Sequence, residues 1–319
     1  MKNHLSLHLL LLLSFCLCCI TVQAKRLRID ELTGVKLYAN NSLNNQSATN
    51  YGRWLFLVSN KLVRVSIYDL QERRLVFTRY LKPHEEETSG KGVLYHCNQS
   101  DFGTERYDKD DMFPLLYVSV RIRPEDDRGS CTALRIIPSF NAKNEIDSFD
   151  VQEVQHVYFP SMTDKNCMGT PNVAIDRKRG MMVSYNRNHN LKATNWDLAQ
   201  VTLFKLPGLR NSKGDVQKEV FLEDKDIKDH FAMPWHMMWV QGGFCRDGLL
   251  VVGQGAPSRE SWKNHTYLRV IDLKKHKQKL CCDLIHQYGL KHEPEGVFFY
   301  DGKILIATNN NEIYEVTYR

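Results

Sequence analysis

A strand phrase that returns along this chain restricts its fold more than any other feature. Its first copy is Trp54-Leu55-Phe56-Leu57-Val58, then a run from Leu62 to Leu70, then one from Leu75 to Leu81, with polar turns between. Runs this short, rich in β-branched and aromatic residues, read as strands of an antiparallel meander. Further copies begin near Leu115, Asn172, Met237 and Gly296. The last has the plainest grammar: Gly296 to Tyr300, the turn Asp301-Gly302-Lys303, Ile304 to Thr308, then Glu312 to Val316. Asp-Gly between apolar strands is a strong hairpin signal, because both central residues of a tight hairpin turn need positive φ. The third strand often carries Asp before Leu, as in Asp69-Leu70 and Asp272-Leu273.

A repeated meander cannot bury its faces alone and stacks on its neighbours, which points to the blades of a β-propeller. The expected architecture is all-β, with five to seven four-stranded antiparallel blades, six favoured. The unit spacing of about 60 residues exceeds a minimal blade, so loops are long or strands are hidden, the candidates being 92–96 and 151–159. A pair of β-sandwiches is the rival, but no Pro/Gly/Ser-rich linker divides the chain. The last strand runs almost to Arg319, so a segment near 25–37 is expected to complete the last blade. The asparagine-rich stretch 40–50 is expected as an exposed loop.

Residues 1–24 read as a removable signal peptide: Lys2, an apolar run from Leu5 to Ile20, then Val22 and Ala24 before Lys25. The run is too short to span a bilayer comfortably, so no stable transmembrane segment is expected after cleavage, and residues 25–319 form a single domain. The expected location is secreted or periplasmic, in the cell envelope. The mature part keeps Cys97, Cys131, Cys167, Cys245, Cys281 and Cys282, an even set that permits disulfides in an oxidising compartment. It has no C-x-x-C pair, which disfavours zinc. The 43 Lys and Arg are interspersed with 37 Asp and Glu, and this balance does not call for a nucleic-acid partner.

The chain has no G-x-S-x-G, no H-E-x-x-H, no P-loop and no EF-hand loop. Its most informative polar string is His292-Glu293-Pro294-Glu295-Gly296, set where a strand begins. In a propeller the start of each innermost strand borders the central channel, where groups from different blades converge. Glu293 to Phe298, followed by Asp301-Gly302-Lys303-Ile304-Leu305, resembles the blade-opening segment of secreted six-bladed propellers, the group that includes NHL-repeat, strictosidine-synthase-like and paraoxonase-like proteins. The resemblance is centred on the last blade. It implies a calcium ion in the channel with Glu295 as a ligand, and Asn172, with Asn98 more loosely, at comparable strand starts. Calcium takes six to eight oxygens, and the sequence does not assemble that full set.

His96, His236 and His292 stand before other apparent blade openings, where imidazoles can ligate a metal or move protons. Trp235 lies in an aromatic and Met-rich segment and can stack on a sugar ring or a peptide side chain. The candidate ligand-binding set is therefore His96, Asn98, Asn172, Trp235, His236, Glu293 and Glu295, with Glu295 and Asn172 as candidate metal ligands. The leading expectation is an exported propeller that binds a carbohydrate, a peptide or another envelope component at the channel mouth. A metal-assisted hydrolase or lyase using the same channel is the alternative, and the sequence leaves enzyme and binder both open.

Overall fold

A computed structural model describes residues 29–36, 45–59, 64–80, 97–120, 128–160, 172–187, 198–236, 239–257, 265–310 and 312–318. The expected signal peptide lies outside these residues. Among them no helix is long and apolar enough to cross a membrane.

The first described strand, β1 (Ile29–Lys36), finds its partner only at the far end of the chain. Four consecutive strands then form the first blade: β2 (Asn45–Tyr51), β3 (Trp54–Ser59), β4 (Arg64–Asp69) and β5 (Arg74–Tyr80). The second holds β6 (Ser100–Phe102), β7 (Leu116–Val120), β8 (Ser130–Phe140) and β9 (Ile146–Tyr158). The third holds β10 (Asn172–Asp176), β11 (Met181–Arg187) and β12 (Leu198–Lys205). Next in the chain, β13 (Glu219–Phe221) adds in parallel to β9, and β14 (Ile227–His236) completes the third blade. The fourth is β15 (Val240–Arg246), β16 (Leu249–Gly255), β17 (Thr266–Asp272) and β18 (Lys277–Asp283), followed by the short helix α1 (Leu284–Tyr288). The fifth is β19 (Gly296–Tyr300), β20 (Lys303–Ala307) and β21 (Glu312–Tyr318), with β1 as its outermost strand. Ring closure by the N-terminal segment is thus as expected.

The number of blades follows from the packing. Side chains alternate across a strand, so each sheet has two apolar faces to bury. Phe56 and Val58 pack against Phe102, Leu116 and Val118 of the second blade. Their neighbours Leu55 and Leu57 point the other way, onto Phe298, Leu305 and Ala307 of the fifth. Tyr117 and Ala133 meet Val173, Ile175 and Met182, Val183 and Val201 meet Leu250 and Val252, and Val251 and Leu268 meet Val297 and Ile306. Five clusters join five blades in a closed cycle, so the ring has five blades, at the low end of the expected range, and not the favoured six. Of the two candidates for hidden strands, 151–159 coincides largely with β9, the outer strand of the second blade, and 92–96 lies outside the described residues.

The expected loop at 40–50 is corrected: residues 45–50 lie in β2, an innermost strand, and Ser47, Ala48 and Thr49 are buried. Its polar composition suits the axis, where five strand starts face one another and side chains bond from blade to blade. The fourth copy is also shifted. Its innermost strand begins at Val240 and runs through Gly242 and Gly243, where the sequence suggested Met237 to Val240. The glycines are required by close approach: a Cβ on Gly242 would lie 2.6 Å from the Cα of Gly296, and one on Gly296 would overlap Ala48. The recurrent Asp closes turns. Asp69 Oδ1 accepts from the N–H groups of Gln71 and Glu72 (3.0 and 3.1 Å), and Asp272 Oδ1 from those of Lys274 and Lys275 (3.1 and 3.0 Å).

Candidate functional site

Gln241 of the fourth blade donates to the carbonyl of Gly255 within its own blade (3.5 Å), whereas the other four blades bond to a neighbour through an amide or a carboxyl at or beside the start of the innermost strand: Gln46, Asn98, Asn172 and Glu295. These groups stitch the ring shut. Asn98 donates through Nδ2 to Asn172 Oδ1 (2.6 Å), and Asn172 donates to the carbonyl of Val240 (3.5 Å). The N–H of Gly242 donates to the carbonyl of Glu295 (3.2 Å), and Gln46 Nε2 donates to Glu295 Oε1 (3.2 Å). The hydroxyls of Ser47 and Ser100 close the cycle between the first and second blades (2.8 Å). Below this ring Gln99 reaches across to the fourth blade, donating to the carbonyl of Gly243 and accepting from its N–H (3.2 Å). The buried Gln99 side chain thus ties the second blade to the fourth across the axis, between the mouth where the innermost strands begin and the mouth where they end.

Glu295 is the exceptional member of the ring. It is fully buried, its Oε1 accepts from Gln46, and its carboxyl meets that of Glu293. Burial raises its carboxyl well above the ordinary range, and the neighbouring Glu293 carboxyl raises it further. Two carboxyls so close favour a shared proton or a cation between them. Among the described residues no three His, Cys, Asp or Glu side chains are grouped to hold a metal, so a cation here would rest also on amide oxygens. Glu293 and Gln46 are half-buried, which leaves this mouth reachable from solvent.

Of the residues singled out in the sequence, Glu295, Glu293, Asn172 and Asn98 share this end of the axis. His236 does not open a blade: it ends β14, the outermost strand of the third blade, paired with Leu198, because the chain still has to cross to β15. Trp235 lies on the same outer strand, half-buried, with the Arg269 guanidinium 4.1 Å from its ring centroid. His96 lies outside the described residues. Gln46, Gln99 and Gln241 were missed, because polar innermost strands carry no apolar alternation to mark them. Cys97, Cys131, Cys245, Cys281 and Cys282 form no disulfide with one another. Cys281 is exposed and Cys282 buried, as neighbours on a strand should be.

The opposite mouth holds a cavity of 580 Å³, lined by strand ends and first turns, including Thr49, Arg53, Asp101, Arg177, Arg246 and Tyr300. Asp101 forms part of its wall and is nearly fully buried. Its oxygens accept from the N–H of Phe102 (2.8 Å), the N–H of Ile175 (2.7 Å) and the Thr49 hydroxyl (3.3 Å), which ties three blades together.

Five sheets, four of four strands and one of five, closed into a ring around polar strand starts define a β-propeller. No protein-family model matches the chain, and no curated protein matches it in sequence. Among solved structures it is similar to the glutaminyl cyclase of Myxococcus xanthus, with a TM-score of 0.48 and 9% identity over 92% of this chain and 96% of that one. The Swd1 β-propeller domain of Myceliophteria thermophila aligns with a TM-score of 0.42 and 9% identity over 89% and 99% of the two chains. The computationally designed protein Ika8 aligns at 0.36 and 10% identity, over 89% and 98%.

Proposed function

We propose that this is an exported propeller, secreted or periplasmic, that binds a carbohydrate, peptide or surface-polymer segment at the mouth where the innermost strands begin, with Glu295 as the anchoring group. The observation that carries this reading is the buried Glu295 carboxyl set against a second carboxyl, Glu293, at the end of the axis that solvent reaches. Two carboxyls held this close repel when both are ionised, and a ligand hydroxyl or amide that donates to them relieves that repulsion. Half-buried Gln46 and Glu293 would meet the ligand first. Titration of the mature protein with glycans and peptides should give saturable binding. Glu295→Gln should weaken it by about tenfold or more, while Arg177→Ala at the opposite mouth should leave it intact. No saturable binding, or equal loss in both variants, sinks the reading.

The carboxyl pair favours a second reading, a metal-assisted hydrolase or lyase with its site in the same channel. Glu295 and Glu293, with the amide oxygens of Asn98 and Asn172, are the hard oxygen donors that calcium takes. Calcium bound there would supply Lewis-acid stabilisation of charge developing on a substrate oxygen. Calorimetry with calcium on wild type and Glu295→Gln decides between the readings: no heat from either protein leaves the binder alone.

A further inference from the structure

Arg269 on β17 is only 9% exposed. Its guanidinium lies 4.1 Å from the centroid of Trp235 and 4.9 Å from that of Tyr267. Its edges are held by neutral amides: Nε donates to Gln254 Oε1 (2.6 Å) and Nη1 to Gln278 Oε1 (2.8 Å). Among the described residues no carboxylate pairs with it. Asp283, opposite Tyr267 in the β17–β18 pairing, turns away to cap α1, accepting from His286 N (2.9 Å) and pairing with His286 Nδ1 (2.7 Å). The guanidinium also hydrogen-bonds the Cys281 thiol, its cross-strand neighbour, and burial pulls it below its ordinary value.

Against the same guanidinium, the Trp235 indole N–H is buried with no acceptor. One spot thus holds a buried cation without a counter-charge and a buried donor without an acceptor. Buried charges in folded proteins are paired or heavily hydrogen-bonded, and a guanidinium pairs best with a planar, two-oxygen anion. Both deficits have the same sign, and one group meets both.

We propose that Arg269 and Trp235 form a carboxylate-binding site between the third and fourth blades, taking the acid group of a uronic-acid sugar or of a peptide end. The rings and the two glutamines hold the guanidinium in one orientation against the ring that carries the indole N–H. The site stands apart from Glu295, which lies on the axis, while Arg269 is two strands further out in the fourth blade.

Thermal-shift titration of the mature protein with D-glucuronate, with N-acetylglycine, with sulfate and with neutral methyl glucoside tests this. Either carboxylate should stabilise wild type saturably, the stronger of the two identifying the source, and methyl glucoside should not. Trp235→Phe keeps the stacked ring and removes the N–H, and should weaken carboxylate binding by about tenfold. Arg269→Gln should abolish it, with circular dichroism confirming the fold, and Glu295→Gln should leave it unchanged. If Arg269→Gln does not fold, Trp235→Phe decides alone. Equal shifts in wild type and Trp235→Phe, an effect of sulfate matching that of both carboxylates, or no saturable shift would each overturn the proposal.

Discussion

Asp101 shows how a single side chain holds a propeller together and makes it sensitive to pH. Burial raises its carboxyl, and the Arg177 guanidinium at 3.7 Å together with bonds from Ile175, Phe102 and Thr49 only partly offsets this, so it titrates at about 6 against an ordinary 3.8. The folded chain therefore holds this proton where the unfolded chain has lost it. The stabilisation is fully present below about pH 4 and is lost as pH rises through 6, amounting to about 3 kcal/mol for a shift of this size. Urea unfolding of wild type and Asp101→Asn at several pH values from 4 to 7 should show this slope in wild type only. The variant should also be weaker at low pH by about 1–3 kcal/mol, since an amide cannot accept every bond that Asp101 accepts. Parallel pH profiles would refute the assignment.

At the scale of elements, the strand that matters most is β1. It pairs with β21 from Lys36 opposite Glu312 to Ile29 opposite Tyr318, and so converts an open edge into the closed fifth blade. An exposed edge strand offers unpaired N–H and C=O groups to other chains. A chain starting at residue 37 should therefore melt lower than one starting at residue 25, by on the order of 10 °C if several kcal/mol are lost. It should also self-associate in light scattering. Equal melting temperatures and a monodisperse truncated chain would show that closure contributes little. The hairpins, by contrast, are local devices. Asp301 and Gly302 have φ of 48° and 77°, the positive values such a turn demands, and they were readable from two residues.

At the scale of the whole molecule, the five apolar clusters form a cycle in which each blade covers its neighbours, and the polar axis adds a second cycle inside the first. No blade has a core of its own, so the described blades should unfold together. Tryptophan fluorescence and far-UV circular dichroism should trace one coincident urea transition. Two separated transitions would show that part of the ring is independently stable.

Features that rest on local chemistry are legible in the linear chain. Short runs of apolar, β-branched and aromatic residues marked β3, β4, β5, β7 and β20, Asp-Gly marked the last turn, and the string around Glu295 marked a strand start at the axis. These signals survive in one dimension because a strand buried between two sheets must be apolar whatever its partner is. Tertiary structure alone decided the rest. The innermost strands β2 and β6 carry Asn, Gln, Ser and Thr whose burial is tolerable only because another blade supplies the hydrogen-bond partner. The move of His236 to an outer edge, the count of five blades, and the meeting of Trp235 with Arg269 all depend on which residues the ring brings together across long chain separations. A contact of that kind leaves no periodicity in the sequence, because its energy belongs to the pair and neither residue carries it alone.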